Sequence, residues 1–332
     1  MIKKRHIFAL GLPVLMLAAP VAAQDTIIYL TFDEAADATN FADGDAYTLG
    51  SSERLRGPSD TTINITPEFK FRDSGPLGGS NGPDIGPVPT LTDGTNLQGG
   101  KALLLNNGNS NGGDIEGLRL VADAEVPSRD FTMEVVWWTD NAVPTDNLIG
   151  LQYPIGSETA TGQEEPAFFI RSYDNSGTLT TQWWNDNADG DNTQGVQVTG
   201  ASAIEASIAY HDVLVFDYND GDPATSTVTA YRNGSSVGSA TYDASGTDNI
   251  LFGLRGDYDG DTNPDRLFAI GYNAADDPPS GGQERGVVGG VDAVAITVDA
   301  LLDGTSGNEF VLPGGTPYTA AASVSGWNLY SD

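Results

Sequence analysis

The chain contains no cysteine, and its 332 residues include only two histidines, His6 and His211. The lack of cysteine excludes thiol catalysis, disulfide bonds and cysteine-based zinc sites. Because His6 lies in a segment that has the features of a removable leader, His211 is the one imidazole left for catalysis or metal binding. A cluster of histidine ligands around a metal is therefore excluded as well.

Basic residues are also scarce, with 15 Lys and Arg against 46 Asp and Glu and a formal net charge of −31. This composition provides no extended basic surface that could bind nucleic acid or an anionic lipid surface, so we expect neither as a partner. The chain nevertheless has 12 Tyr, 12 Phe and 5 Trp, which argues against a disordered acidic chain. We expect a folded protein with a strongly acidic surface.

Residues 1–23 have the pattern of a secretory signal peptide, with a basic start, an apolar stretch and a small-residue cleavage site. The alternative is a membrane-spanning anchor. Pro13 and Pro20 disfavour it, because they interrupt a run that is already shorter than the roughly 20 residues needed to span a bilayer. The sequence therefore predicts a secreted protein, extracellular or periplasmic, without membrane insertion. Its mature chain is expected to begin near Gln24.

Short segments with alternating apolar and polar residues dominate the rest of the chain, and clusters of Gly, Pro, Asn and Asp separate them. The helix-compatible windows, 201–208 and 299–303, are too short to form a layer. The pattern predicts an all-β fold, an antiparallel sandwich or barrel. The predicted strands span residues 27–32, 102–105, 117–121, 131–138, 167–173, 178–184, 213–218, 227–232, 237–242, 250–255, 267–271 and 291–298.

The expected organisation is one β-sandwich domain, residues 24–303, with long loop insertions. Residues 43–100 are rich in Gly, Pro and Ser and are interpreted as a surface insertion, with a small subdomain as the alternative. Residues 304–332 form a C-terminal extension with room for an added strand. The pair Asn233-Gly234 predicts a tight hairpin, because both residues tolerate a positive φ.

Five segments occur in an order that is typical of one superfamily. Together they resemble a laminin G-like domain of the concanavalin A-like lectin/glucanase superfamily. The resemblance covers residues 27–303 and implies a two-sheet antiparallel jelly-roll sandwich. The segments are Ile27–Glu34, Arg129–Trp137, His211–Tyr218 with the hairpin Tyr231–Gly234 that follows it, Phe268–Gly271, and Gly290–Ile296.

Glucanases of this superfamily carry a Glu-x-Asp-x-(x)-Glu strand, because a retaining mechanism needs two carboxyl groups about 5 Å apart. No Glu of this chain is followed two places later by Asp. Acidic pairs such as Glu164-Glu165 are an alternative acid and base, although a solvated loop explains them as well. His211 is expected to be a packed or surface residue of its strand. The sequence thus favours a protein without catalytic activity, with a diverged glycoside hydrolase or polysaccharide lyase as an alternative.

Two calcium sites are predicted. One is the loop 257–265, which places oxygen-bearing side chains at alternate positions, as a cation with about 6 to 8 oxygen ligands requires. A solvated turn explains the same pattern. The other site is implied by the family resemblance, in which a structural ion lies between an acidic residue of the first strand and one of the last, here Asp33 and Asp292. Carboxylates that cap backbone N–H groups are the alternative there. The loop ligands are Asp257, Asp259, Asp261, Asn263 and Asp265.

Adjacent tryptophans at 137–138 and 183–184 lie on predicted strands, so one member of each pair faces the core and the other faces outward. In the second pair, alternation with Leu179 and Thr181 places Trp183 inward. An outward tryptophan beside polar side chains is typical of a sugar-stacking platform. A cover formed by the 43–100 insertion is the alternative. The predicted carbohydrate site consists of Trp184, Asn185 and Asp186.

Taken together, these patterns predict a secreted, calcium-stabilised β-sandwich that does not catalyse a reaction. The expected partner is a polysaccharide or glycan, or another cell-surface protein. A structural or adhesive cell-surface protein is the alternative function, in which the sandwich displays loops and packs against copies of itself.

Overall fold

The structure of the protein is a computed structural model. It describes a chain of short strands and connecting loops. The described residues are 26–51, 53–55, 68–74, 82–91, 100–106, 115–121, 131–140, 154–159, 168–175, 178–185, 196–200, 202–219, 221–233, 235–242, 266–272, 286–297, 310–311 and 317–318.

The elements in these ranges are strands, apart from one turn of 3-10 helix at Pro223–Thr225. None of the described helical residues forms a segment long and apolar enough to cross a membrane. The strands are β1 (Thr26–Leu30), β2 (Arg54–Leu55), β3 (Glu68–Ser74), β4 (Asp84–Pro87), β5 (Lys101–Asn106), β6 (Ile115–Val121), β7 (Phe131–Thr139), β8 (Ile155–Thr159), β9 (Phe168–Asn175), β10 (Thr178–Asn185), β11 (Val196–Thr199), β12 (Ala209–Asp217), β13 (Ser226–Arg232), β14 (Ser235–Tyr242), β15 (Arg266–Ile270), β16 (Val288–Thr297), β17 (Phe310–Val311) and β18 (Pro317–Tyr318).

The strands form two main antiparallel sheets. The nine-stranded sheet has the order β14-β13-β12-β7-β16-β1-β2, with β5 added to β16 and β4 added to β5. The seven-stranded sheet has the order β11-β10-β9-β8-β15-β6-β3, and β17 pairs with β18 separately. The predicted fold class is confirmed: the protein is an all-β, two-sheet antiparallel jelly-roll sandwich.

Most of the predicted strands are present, with ends that differ by a few residues. Strands β8 and β11 were not predicted, because their sequences are short and contain Gly, Ser, Thr or Gln at half or more of their positions. The segment 202–208 is not helical. Predicted strand 250–255 lies outside the described residues. Strands β2, β3 and β4 all fall within residues 43–100, so this segment contributes to both sheets.

The core lies between the two sheets and follows the alternation of side chains along each strand. In β7, Met133, Val135 and Trp137 belong to the inter-sheet core, whereas Val136 and Trp138 belong to a second cluster on the outer face of the nine-stranded sheet. Trp183 is fully buried in the inter-sheet core, as the alternation predicted. Because side chains alternate along a strand, the two tryptophans of β7 lie on opposite faces of the sheet. Both are buried, Trp137 by the inter-sheet core and Trp138 by the outer cluster.

Strand β16 shares one of its edges between two partners. Residues 294–297 lie within the part that pairs with β1, and Val288–Val291 pair with β5. On the opposite edge, the pairing with β7 shifts register between Val291 and Ala293, which is the position of a β-bulge. Asp292 is the extra residue of this bulge. A bulge redirects the side chains around it, and here it lies at the gap between β1 and β5.

Candidate functional site

Asp33 and Asp292 meet at the junction of β1, β5 and β16. Asp33 Oδ1 accepts hydrogen bonds from the backbone N of Gly100 (2.6 Å) and of Lys101 (3.1 Å), where β5 begins. Asp292 is only 2% exposed. Burial raises the pKa of the Asp292 carboxyl well above its usual value, and the charge of Asp33 raises it further. The structure therefore brings this predicted pair of acids close enough to interact.

Asp292 has two carboxylate oxygens that are buried and without a hydrogen-bond partner, and the buried Thr31 Oγ1 also has no partner. A buried, unpaired carboxylate is costly unless a positive charge or a proton compensates it. The Asp292 carboxylate fits a hard cation such as Ca²⁺, which binds oxygen ligands. Among the residues that the structure describes, no group of three or more His, Cys, Asp or Glu is placed to hold a metal ion. A cation at Asp33 and Asp292 therefore needs further oxygens from backbone groups or water.

Glu53 organises the loops next to this junction, and the sequence did not identify it. Its Oε1 accepts hydrogen bonds from the backbone N of Thr31 (2.8 Å) and Phe32 (2.7 Å), and its two carboxylate oxygens accept the hydroxyl proton of Tyr47. Phe32 has a φ of 64°, which is rare for a residue with a side chain. The Glu53 carboxylate stabilises this turn by satisfying two backbone donors. No local sequence pattern connects Glu53 with β1, because the contact spans more than 20 residues.

His211 is fully buried on the outer face of the nine-stranded sheet, and its Nε2 lies 2.9 Å from Glu134 Oε2. Burial raises the pKa of Glu134, and the hydrogen bond with His211 opposes that increase. Burial also raises the pKa of Tyr29, and the charge of Glu134 adds to the effect. Because the imidazole has no solvent exposure, His211 is a packed residue of its strand, in agreement with its expected role.

On the outer face of the seven-stranded sheet, an aromatic ring lies beside polar side chains. Phe168 and Ile170 of β9 point into the core, so Phe169 and Arg171 lie on the outer face. Arg171 Nε donates a hydrogen bond to Gln182 Oε1 of β10 (2.7 Å), and its guanidinium lies over the ring of Phe169, 4.9 Å from the centroid. Thr199 of β11, opposite Gln182, is exposed. This part of the sheet combines an aromatic ring with polar hydrogen-bonding groups.

The predicted sugar platform is only partly described. The backbone of Trp184 pairs with Phe169 on one side and with Gln197 on the other, and the backbone of Asn185 pairs with Phe168 and Val196. The side chains of Trp184 and Asn185 lie outside the described set. Asp186 and the predicted calcium loop also lie outside the described residues. The loop ligands concerned are Asp257, Asp259, Asp261, Asn263 and Asp265.

Two cavities open on the described surface. A cavity of about 540 Å³ lies under the loop 34–51 and is lined by Phe41, Tyr47, Leu49 and Phe71, among others. Phe41 stacks on Phe71 with a centroid distance of 3.8 Å, which rigidifies one wall. The second cavity, of about 290 Å³, is lined by Trp138, Asp140 and Gly289 together with residues of β4 and β5. Both have the volume of small-molecule sites, and neither contains a residue of the predicted sites.

No protein-family model matches the chain, and no curated protein sequence matches it. Among solved structures, the sialidase carbohydrate-binding module CBM40 of Ruminococcus gnavus, bound to α2,3-sialyllactose, is 14% identical, with a TM-score of 0.34 over 53% of this chain and 78% of that one. A pentraxin of Limulus polyphemus is 16% identical, with a TM-score of 0.35 over 55% and 70%. The alginate lyase Aly36B is 14% identical, with a TM-score of 0.39 over 82% and 94%. At these identities and scores the likeness carries no information about function.

Proposed function

We propose that the protein is a secreted, calcium-stabilised β-sandwich that binds carbohydrate and does not catalyse a reaction. The observation that supports this proposal is the outer face of the seven-stranded sheet, where the half-buried Arg171 covers the ring of Phe169 and bonds Gln182. Phe169 and Gln182 are themselves only 4% and 2% exposed, so the ring proposed to contact a sugar is that of Trp184. Sugar rings pack their C–H faces on aromatic side chains, and their hydroxyl groups bond amide and guanidinium groups beside the ring. Backbone register places Trp184 directly opposite Phe169, so the predicted platform continues this surface.

The opposite outer face does not suit the same role. On the nine-stranded sheet, Val136, Val213 and Val215 form a buried apolar cluster with Trp138. This cluster offers no hydroxyl or amide group to a sugar. Hydroxyl groups on this face lie at its β13–β14 end, where Thr229 bonds Ser239 at 3.1 Å. The apolar centre of this face supports the proposal that carbohydrate binds on the seven-stranded sheet.

Calcium is proposed to bind at Asp33 and Asp292, in keeping with the unpartnered oxygens of Asp292. The ion would neutralise two neighbouring carboxylates and tie the end of β1 to the centre of β16. The loop 257–265 is proposed as a second calcium site on its sequence spacing alone. We further propose that residues 1–23 are removed on secretion, and that the five ordered segments make the domain laminin G-like.

Binding to a polysaccharide panel tests the carbohydrate proposal. The wild-type protein is expected to bind at least one polysaccharide, and Trp184→Ala is expected to weaken that binding about tenfold or more, since stacking on an aromatic ring is lost. Tyr231→Ala is the matched control, because Tyr231 lies on the outer face of the other sheet and packs against its apolar cluster. Affinity electrophoresis or calorimetry measures the change.

Equal binding by wild type and Trp184→Ala would show that the platform is wrongly assigned. Absence of binding to every polysaccharide would contradict the carbohydrate proposal. The structural or adhesive alternative would then be examined by light scattering with and without calcium.

A further inference from the structure

Basic side chains gather on the outer face of the seven-stranded sheet, although the protein as a whole is strongly acidic. In β3, Phe69 and Phe71 point into the core, so Lys70 and Arg72 lie on the outer face. In β6, Leu118 and Leu120 are core residues, which places Arg119 on the outer face as well. Of the other basic side chains that the structure describes, Lys101 lies on β5 of the other sheet, and Arg232 bonds a buried aspartate.

Strand register aligns these residues with the proposed carbohydrate surface. Lys70 of β3 is the partner of Arg119, and Arg119 is the partner of Ala269 in β15. The same row continues from Ala269 to Gly156 of β8, and from Gly156 to Phe169. Small residues therefore occupy the positions of this row in β15 and β8, between Arg119 and Phe169. With strands about 4.8 Å apart, the backbones of Arg119 and Arg171 are separated by roughly 16 Å, enough for several sugar units.

Arg119 and Arg171 lie on inner strands of the sheet, whereas Lys70 and Arg72 lie on its edge strand. At the edge of the sheet, Lys70 pairs with Glu68 at 3.0 Å and Arg72 pairs with Asp43 at 2.8 Å. Glu68 is the one carboxylate among the described side chains of this face. Arg171 is held in place by Gln182 and Phe169 and is half-buried, as is Arg119. A guanidinium fork that is oriented in this way favours a planar carboxylate, which it binds through two parallel hydrogen bonds.

The net charge of −31 does not oppose an anion at this surface. At an ionic strength of 0.15 M, charges separated by more than about 8 Å are largely screened from one another. Acidic residues elsewhere on the protein therefore interact weakly with a ligand bound along the row from Lys70 to Phe169, whereas Arg119 and Arg171 are placed to contact that ligand directly. Among the described side chains of this face, the four basic residues outnumber the one acidic residue, Glu68.

We propose that the outer face of the seven-stranded sheet binds an anionic polysaccharide, with Arg119 and Arg171 contacting carboxylate groups of separate sugar units. This inference rests on the proposed carbohydrate function and names its ligand class as a polyuronate.

The test compares polygalacturonate with its carboxyl-reduced, neutral form and with dextran sulfate, each measured by calorimetry in 0.15 M NaCl. The wild-type protein is expected to bind polygalacturonate about tenfold or more tightly than either of the others. Arg119→Gln and Arg171→Gln are each expected to weaken polygalacturonate binding about tenfold or more. Arg54→Gln removes the same charge from β2 of the other sheet and is expected to leave the affinity unchanged.

Several results would overturn the inference. Equal binding of the carboxyl-reduced polymer would contradict the anionic ligand class but not the carbohydrate function. No binding to any polysaccharide would contradict both. Equal or tighter binding of dextran sulfate would contradict the assignment to carboxylates. Melting curves identify any variant that fails to fold. Arg171→Lys, which keeps the charge but not the fork, then replaces Arg171→Gln and is expected to give an intermediate affinity.

Discussion

At the scale of single residues, the core of the sandwich contains a buried ion pair that the hydrophobic pattern does not reveal. Asp212 is fully buried and accepts hydrogen bonds from Arg232 Nε and Nη2 and from Trp137 Nε1, each at 2.8 Å. The guanidinium of Arg232 also lies over the rings of Tyr210 (4.3 Å) and Trp183 (5.4 Å). Both Asp212 oxygens are satisfied, so the pair links β7, β12 and β13 to a ring of the opposite sheet.

Asp212→Ala is expected to lower the free energy of unfolding by about 3 to 5 kcal/mol, because it leaves the largely buried Arg232 guanidinium without its carboxylate. Asp37→Ala breaks the solvent-exposed ion pair with Lys101 and is expected to cost about 0 to 1 kcal/mol. Urea denaturation of both variants measures the difference. Similar losses in the two variants would show that burial does not strengthen the Asp212 pair.

At the scale of elements, the hairpin between β13 and β14 depends on one residue with an unusual backbone conformation. Asn233 has a φ of 48°. Its backbone N donates to the carbonyl of His211 (2.8 Å), and its side-chain Oδ1 accepts from the backbone N of His211 (2.9 Å). The turn is thereby fixed to β12 as well as to its own strands. Arg232 and Ser235 pair directly across it, as the Asn233-Gly234 signal predicted.

Two substitutions of Asn233 separate the contribution of its backbone conformation from that of its side-chain hydrogen bond. Asn233→Ala loses both the tolerance of positive φ and the side-chain hydrogen bond, and we expect a loss of about 2 kcal/mol in the free energy of unfolding. Asn233→Gly keeps the backbone freedom and loses only the hydrogen bond, so a smaller loss of about 1 kcal/mol is expected. Thermal denaturation compares the two variants. If Gly is no better than Ala, the left-handed conformation is not what the position requires.

At the scale of the whole molecule, the proposed calcium site at Asp33 and Asp292 connects elements far apart in the sequence. Asp33 follows the first strand, and Asp292 lies in the central strand β16, which pairs with β7, β1 and β5. An ion that binds only the folded protein stabilises it by about 2.7 kcal/mol at a concentration 100 times its dissociation constant. Calcium is therefore expected to stabilise the sandwich as a unit.

Wild-type protein in millimolar Ca²⁺ is expected to melt several degrees above protein in EDTA. Asp292→Asn is expected to lose most of this response and to be no less stable than wild type in EDTA, because it removes a buried unpaired charge. Asp259→Asn is the corresponding variant of the 257–265 loop. The decrease it causes in the calcium-induced rise of the melting temperature measures calcium binding at that loop. Identical melting of the wild type in EDTA and in Ca²⁺ would contradict both sites.

The sequence determined the properties that depend on neighbouring residues. Alternation along β7 and β10 predicted the all-β class and the inward position of Trp183, because a strand repeats every two residues wherever it is placed. Asn233-Gly234 predicted a hairpin and its register, because a two-residue turn fixes the pairing of the strands beside it. The composition established the acidity, but not where the few basic residues lie.

The tertiary structure alone decided which residues from distant strands become neighbours. The contacts of Glu53 with Thr31 and Phe32, and the row from Lys70 through Arg119 to Ala269, join segments separated by 20 to more than 100 residues. Pairing at that distance follows from the order of the strands in each sheet, which no local pattern encodes. For the same reason, a family resemblance was needed to connect Asp33 with Asp292. The basic row became visible only once the strands were placed side by side.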